Sequence, residues 1–382
     1  MGLIYLDNNA STELDPEARE AFVRALGAFG NPSSVHSFGR GARRAVEEAR
    51  DDVARLVGAR PEEIVFTSGG TEANALAILS ASASGGRIVR SAVEHPSVAE
   101  AFRRANRQAD VEAVEVPPEP DGQLDPARFL QEITATTRLV SLMSASNEYG
   151  GVFPVDLIVE GARSVSAALV HTDAVQAAGR IPLDVRLLGV DYLSLSAHKL
   201  HGPKGVGALY VKRDAPAEPV SPGGGQERRR RAGTENTPAI AGFGVAARLA
   251  RERLTTDAAS VAALRDRLER GVLAAVSGAR ALGARGFRLP NTSAILFPGL
   301  SGQALLVRLD LEGVAVSVGS ACSSGTVAPS PALMALGLTP EEALRVVRFS
   351  LSRRSTAADI DRAAAIVGQA VADMRPAEAV TA

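Results

Sequence analysis

Residues 62–82 run EEIVFTSGGTEANALAILSAS: a short apolar strand, a turn with two glycines, then apolar residues at helical spacing. A strand that feeds a helix this directly is a βα unit. Upstream, GRGARRAVEEARDDVARLV at 39–57 carries apolar residues at helical spacing between charges. Downstream, the short runs RIVRSAV, TRLVSLMSAS, AALVHTDAVQ and DYLSLSAHKL alternate with helix-like stretches at 97–108 and 155–168. This alternation predicts an α/β domain with a mainly parallel sheet. The pattern breaks at 212–238, KRDAPAEPVSPGGGQERRRRAGTENTP, which is too rich in Gly, Pro and Arg for a regular element. A helix-like segment at 239–274 follows the break. The rest has strands near 291–297 and 313–318 and helices near 301–311, 340–346 and 357–374, which predicts a smaller α+β domain.

The chain of 382 residues is long enough for two or three domains, and 46% hydrophobic with 22% charged residues can build substantial cores. A net charge of −1 without a large one-signed block gives no reason to expect nucleic-acid or membrane binding. The start, MGLIYLDNNA, lacks a basic n-region with a long apolar core, and no apolar run reaches the roughly 18 residues of a membrane span. A cytoplasmic location is the expectation. The single cysteine, Cys322, cannot form an intrachain disulfide, and the five histidines show no metal-ligand spacing, so no metal site is expected. Absent tryptophan and 4% aromatics argue against a base-stacking surface.

Three segments carry chemistry. In SLSAHKLHGPKGVGALYV, 194–211, Lys199 follows a short apolar strand, between His198 and a glycine-rich run that re-enters a strand. A lysine in such surroundings is either the partner of a nearby acid or an amine of lowered pKa that can form a Schiff base. In HTDAVQ, Asp173 ends an apolar strand, where a carboxylate could hold a pyridinium nitrogen protonated. In FTSGGTEAN, Gly69, Gly70 and Thr71 sit between strand and helix, where free backbone N–H groups and the helix dipole favour a phosphate. Lysine, aspartate and phosphate cup together suggest pyridoxal 5'-phosphate. The patterns GxGxxG, GxxxxGK[ST] and GxSxG are absent, so a dinucleotide fold, a P-loop and a nucleophile elbow lack their fingerprints.

The motifs YLDNNAST, NPSSVH, EIVFTSGGTEAN, VEHPSV, NEYGGVFPV, HTDAVQAAG, SLSAHKLHGPKGVGALYV, GGGQERRRRAGTEN, GSACSSG and VRFSLSRRST occur in the order found in cysteine desulfurases. From residue 5 to about 360 the sequence resembles that family, within the class V aminotransferase superfamily, and the group whose cysteine loop is long. The resemblance implies the PLP-dependent transferase fold type I: a large cofactor-binding domain at 15–250 and a small C-terminal domain at 251–382 carrying the cysteine loop. Residues 1–14 would form a segment packing with the small domain. It also implies that Lys199 holds the cofactor, Asp173 pairs with the pyridine nitrogen, His95 stacks on the ring and Gln176 bonds its phenolic oxygen. Gly70, Thr71, Ser196 and His198 would hold the phosphate, with Thr234 reaching in from the second subunit of a homodimer. Asn147 and Arg348 would bind the substrate carboxylate.

By the same resemblance the reaction would take sulfur from L-cysteine and release L-alanine. Lys199 would act as general base, and the Cys322 thiolate would receive the sulfur as a persulfide, with His95 or cationic surroundings lowering its pKa. A sulfur-acceptor or scaffold protein would follow, with iron–sulfur cluster assembly or thiolation as the destination. Competing readings stand beside these. His95, before Pro96, could cap a helix; Asn147 could shape a turn; Gln176 could cap a helix; Arg348 could be an outward strand charge; Cys322 could be a small buried residue. His36, His171 and His201 are assigned no chemistry. The run Glu227–Arg231 is either a solvated loop or, the reading favoured here, a basic rim that attracts anionic cofactor and substrate. Another class V enzyme, a selenocysteine lyase or transaminase, and a non-catalytic scaffold of the same fold remain as alternatives.

Overall fold

The computed structural model describes residues 2–108, 110–283, 286–319 and 328–375. Its largest sheet has seven strands, in spatial order Ile64–Thr67, Gly207–Val211, Tyr192–Ser196, Leu169–Asp173, Thr137–Ser141, Gly86–Ser91 and Val111–Val116. Gly207–Val211 runs antiparallel to both neighbours and every other pairing is parallel. The central strands read as unbroken apolar runs because helices cover both faces of the sheet. Tyr192–Ser196 and Gly207–Val211, for example, are buried at every position. The α/β expectation holds. One strand of this sheet has no counterpart in the sequence pattern: VEAVEV at 111–116 lies on the sheet edge with Glu112 and Glu115 exposed, so it lacks a continuous apolar run.

A second sheet of four antiparallel strands stacks Ser317–Val318, Val346–Ser350, Thr292–Leu296 and Arg280–Leu282. The strand expected at 313–318 is two strands with different partners. Val314–Ala315 pairs in parallel with Ile4–Tyr5, and Ser317–Val318 pairs with Val346–Ser350. The helix expected at 340–346 is shorter, Pro340–Ala343, because Val346 and Val347 enter the sheet opposite Leu296 and Ile295. The helix expected at 155–168 likewise stops at Val165, where Ser166 turns extended ahead of the strand Leu169–Asp173.

The segment expected at 239–274 is one helix, Thr237–Ala275, started by the Asn236 side chain accepting from the Ala239 N–H and by an early Pro238. Its first half buries Ile240, Phe243, Ala247 and Ala250 in the core of the large sheet. Its second half buries Val261, Leu268 and Val272 in a separate core with Ile295, Phe349 and Val367.

The Gly-, Pro- and Arg-rich stretch contains a short turn, Gln226–Arg229, with φ of 44° at Glu227, 56° at Arg228 and 67° at Arg229. Three consecutive non-glycine residues with positive φ need a strong anchor. Glu227 supplies it: its buried carboxylate accepts from Arg50 Nη1 at 2.8 Å, Arg50 Nη2 at 2.7 Å and the Phe66 N–H at 2.8 Å. Arg231 is tied to Glu72 at 2.9 Å, and Arg228 donates to the Glu62 carbonyl at 3.3 Å. Removing Arg50 would strand a buried carboxylate. Arg50→Ala is therefore expected to cost about 3–5 kcal/mol, visible as a lower denaturant midpoint in equilibrium unfolding.

Candidate active site

The strand Tyr192–Ser196 ends in a tight turn, Ala197–Lys199, which delivers the lysine at the carboxyl end of the sheet. The N-terminal segment closes over this turn. Lys199 Nζ donates to the carbonyls of Asn9 at 2.5 Å and Ala10 at 2.8 Å. Thr12 Oγ1 donates to the His198 carbonyl at 2.9 Å and accepts from the His201 N–H at 2.8 Å. Burial, reinforced by the charges of Arg180 and Arg348, pulls the Lys199 ammonium down to about 7. No carboxylate bonds it, so the ion-pair reading of this lysine finds no support among the described residues.

Lys199 opens on a cleft of about 450 Å³ whose lining includes Gly70, Thr71, His95, Asn147, Asp173, Gln176, Ser196, His198 and Arg348. Ten residues singled out from sequence, Lys199 among them, thus meet in one cavity. Asp173, at the end of Leu169–Asp173, accepts from the Val175 N–H at 2.9 Å and from Asn74 Nδ2 at 2.8 Å. His95 Nδ1 accepts from the Ser97 N–H at 3.1 Å, and burial keeps the ring below its ordinary pKa. The bond to Ser97 is the capping contact weighed above, made by a residue that also lines the cleft. Gln176 is tied at both ends of its amide: Nε2 donates to the Asn9 carbonyl at 3.0 Å and Oε1 accepts from Arg180.

The helix Gly70–Ala81 begins at the cleft. A Cβ at Gly70 would meet Val175 Cγ2 at 2.7 Å, so only glycine brings the backbone this close. Gly70, Thr71, Ser196 and His198 also line an adjoining recess with Ser11, Ser68 and Lys204. Free helix N–H groups, the four hydroxyls of Ser11, Ser68, Thr71 and Ser196, and a lysine form a donor set for a phosphate. Burial, then the charge of Lys199, pushes His198 down to about 4, so at neutral pH it is a neutral donor. Thr234 is exposed and lies outside both linings.

At the other end, Arg348 points into the cleft rather than outward. Nη1 donates to the Asn147 carbonyl at 3.0 Å, Nη2 pairs with Asp7 at 2.8 Å, and Nε is buried without a partner among the described residues. A substrate carboxylate can engage such a guanidinium by replacing Asp7. The turn that carries Asn147 also supplies Glu148, which accepts from Ser330 Oγ at 2.5 Å; burial pushes its carboxyl up to about 7. Between pH 4.5 and about 7 the folded chain keeps a proton on Glu148 that the unfolded chain has lost, so this group lowers stability as pH rises through that window. Glu148→Gln is expected to gain stability relative to the parent protein across the same interval and to run parallel to it above, as unfolding titrations at fixed pH would show.

Cys322 lies outside the described residues. The described flanks Ser317, Val318 and Gly319 on one side and Pro331 on the other line the cleft. None of Arg228–Arg231 lines the cleft or the recess of its own chain, and the side chains of Arg228 and Arg231 make internal bonds, so the basic-rim reading finds no support within one chain. Sequence reasoning passed over Asp7, Asn9, Asn74, Glu148 and Arg180. The signal was present: each lies in a quoted motif or directly beside one, as polar residues with no helical or strand period to explain them.

A family model described as aminotransferase class-V matches residues 4–363. A cysteine desulfurase of Cereibacter sphaeroides is 47% identical over 380 residues, covering 98% of this chain and 97% of its own. The chain belongs to the cysteine desulfurases of the aminotransferase class-V family. A second cysteine desulfurase, from Sinorhizobium fredii, is 44% identical over 384 residues, with 99% of each chain covered. A solved structure described as a NifS-like protein superposes with a TM-score of 0.91 at 32% identity, covering 97% of this chain and all of its own. Cysteine desulfurases use pyridoxal 5'-phosphate, and the residues here fit it: a lysine of lowered pKa and a buried carboxylate on the wall of one cleft, with a donor-rich recess beside Gly70 adjoining it.

Proposed function

We propose that this cysteine desulfurase takes sulfur from L-cysteine, releases L-alanine, and holds the sulfur as a persulfide on Cys322. The observation that carries the reading is the convergence of Lys199, Asp173 and Arg348 in one cleft, with both flanks of the cysteine segment on its wall. Bound pyridoxal 5'-phosphate supplies an electron sink that makes the substrate Cα acidic. Lys199, held near neutrality by burial, takes the proton from Cα and returns it. Asp173 keeps a proton on the ring nitrogen, with Asn74 and the Val175 N–H fixing its carboxylate. Arg348 and Asn147 grip the substrate carboxylate and set which bond faces the lysine. The Cys322 thiolate attacks the substrate Sγ, forming an S–S bond as the C–S bond breaks. The released electron pair is protonated on carbon to give L-alanine, so no outside oxidant or reductant is needed.

Gly70, Thr71, Ser196 and His198 are assigned to the phosphate, and Gln176 and His95 to the ring. Thr234, exposed and away from its own chain's cleft, supports a homodimer in which it reaches the other subunit's recess. Residues 15–250 are assigned as the cofactor-holding unit and 251–382 as the unit bearing the cysteine; the second core, which joins Ile4 and Leu6 to Val261, Ile295, Phe349 and Val367, supports the packing of residues 1–14 with the latter. A protein acceptor or scaffold, serving iron–sulfur assembly or thiolation in the cytoplasm, is the proposed destination of the sulfur. No helix among the described residues is long and apolar enough to cross a membrane. The decisive experiment supplies L-cysteine without reductant and follows intact mass. Cys322 should gain one sulfur as L-alanine appears, and alanine without that gain would defeat the persulfide reading.

A further inference from the structure

Asn74 sits one turn into the helix Gly70–Ala81 with only 1% of its surface exposed. Both of its donors are committed: Nδ2 lies 2.8 Å from Asp173 Oδ2 and 2.9 Å from Ser97 Oγ. Its Oδ1 is buried without a partner among the described residues. An ionised carboxylate only accepts, which fixes the amide with its nitrogen towards Asp173. A bare acceptor in the interior destabilises, and an apolar side chain would avoid that cost. What the residue supplies in return is its two donors, one to the Asp173 carboxylate and one to Ser97.

The chain of bonds continues beyond Asn74. Ser97 Oγ already accepts from Asn74, so its own proton is free for His95 Nδ1, 2.7 Å away. The Ser97 N–H donates to the same nitrogen at 3.1 Å. With Nδ1 an acceptor, the neutral imidazole carries its proton on Nε2. We propose that Asn74 is a positioning residue whose single amide fixes the plane of the Asp173 carboxylate and turns the Ser97 hydroxyl onto His95, coupling the two side chains that would meet the cofactor ring.

The catalytic consequence rests on the roles proposed above for His95 and Asp173; the bond chain does not. Losing Asn74 leaves the Asp173 carboxylate with one donor among the described residues, the Val175 N–H, and frees the Ser97 hydroxyl to turn away from Nδ1. Donors aimed at Nδ1 favour the neutral ring, so their loss makes His95 more basic. The charged groups facing His95 are Asp173 and Lys199, and both are retained.

The test uses ¹⁵N NMR of imidazoles in the cofactor-free protein, with His95→Gln identifying the signal among the five histidines. Asn74→Ala should raise the proton affinity of His95 roughly tenfold. In the loaded enzyme the same variant should lower kcat roughly 10- to 100-fold with KM for L-cysteine within about twofold, because Arg348 and Asn147 are untouched. Ser97→Ala, a smaller perturbation that keeps Asn74 on Asp173, should reproduce the histidine shift if Asn74→Ala does not fold. An unshifted His95 in both variants, or a rise in KM at unchanged kcat, would overturn the proposal. A Cys322 that gains no sulfur would leave this titration untouched, so the two readings fail separately.

Discussion

L-Alanine formation from L-cysteine is expected to fall on the order of 10³-fold or more in Cys322→Ala, while the visible absorption of bound cofactor survives. In the proposed reaction a thiolate takes the sulfur, because the bound cofactor would acidify Cα without accepting sulfur itself, and this chain has one cysteine. Its flanks lie on the wall of the cleft that holds Lys199 and Arg348. With the thiol gone, substrate still binds and still loses its Cα proton, but the C–S bond has no nucleophile to meet. Cofactor absorption and exchange of the Cα hydrogen with solvent should therefore persist in the variant. Unimpaired alanine production would point instead to chemistry that releases the heteroatom without a protein thiol, as in the selenocysteine lyase alternative.

Lys199→Ala is expected to lower turnover by roughly 10⁴-fold, the upper end of what a positioned acid–base group supplies, and to abolish Cα hydrogen exchange as well. That second loss separates it from Cys322→Ala. Borohydride treatment should fix the cofactor covalently to the parent protein and leave the variant unmodified, a mass difference that needs no assay. The lysine is suited to this work because burial and the nearby Arg180 and Arg348 bring its ammonium down to about 7, so neutral amine is available at physiological pH. A retained covalent adduct in Lys199→Ala would mean that another amine holds the cofactor.

Much of this site was legible in the sequence because its parts sit at element ends. Asp173 and Ser196 close apolar strands, Gly70 and Thr71 open a helix, and Lys199 follows a strand by three residues. A parallel sheet brings such ends to one edge, so motifs far apart in sequence share a cleft. What stayed hidden depends on contacts between distant segments. Arg348 could be placed by motif, but its partner Asp7 lies 341 residues away. Glu227 read as one letter in a charged run, and only the fold reveals it as the buried anchor of Arg50 and of the backbone beside the phosphate recess. Strand limits at Val314–Ala315 and Ser317–Val318 were invisible for the same reason, since a change of partner leaves no trace in a short apolar run.

The segment that covers the lysine turn has a consequence for how the protein is made. Asn9 and Ala10 leave the ribosome early, but the lysine they receive comes 190 and 189 residues later. The arginine that meets Asp7 follows by 341, and Ser350, which bonds Asn8, by 342. At roughly 5–20 residues per second, the opening stretch waits many seconds for its last partners. The large sheet can close before then, but the cleft cannot be completed until Arg348 and Ser350 have emerged. A nascent chain stalled after residue 300 would hold the lysine, the aspartate and the phosphate recess while lacking Arg348. On the roles proposed above, cofactor capture can thus precede substrate recognition during synthesis, with Cys322 and Arg348 emerging close together after it.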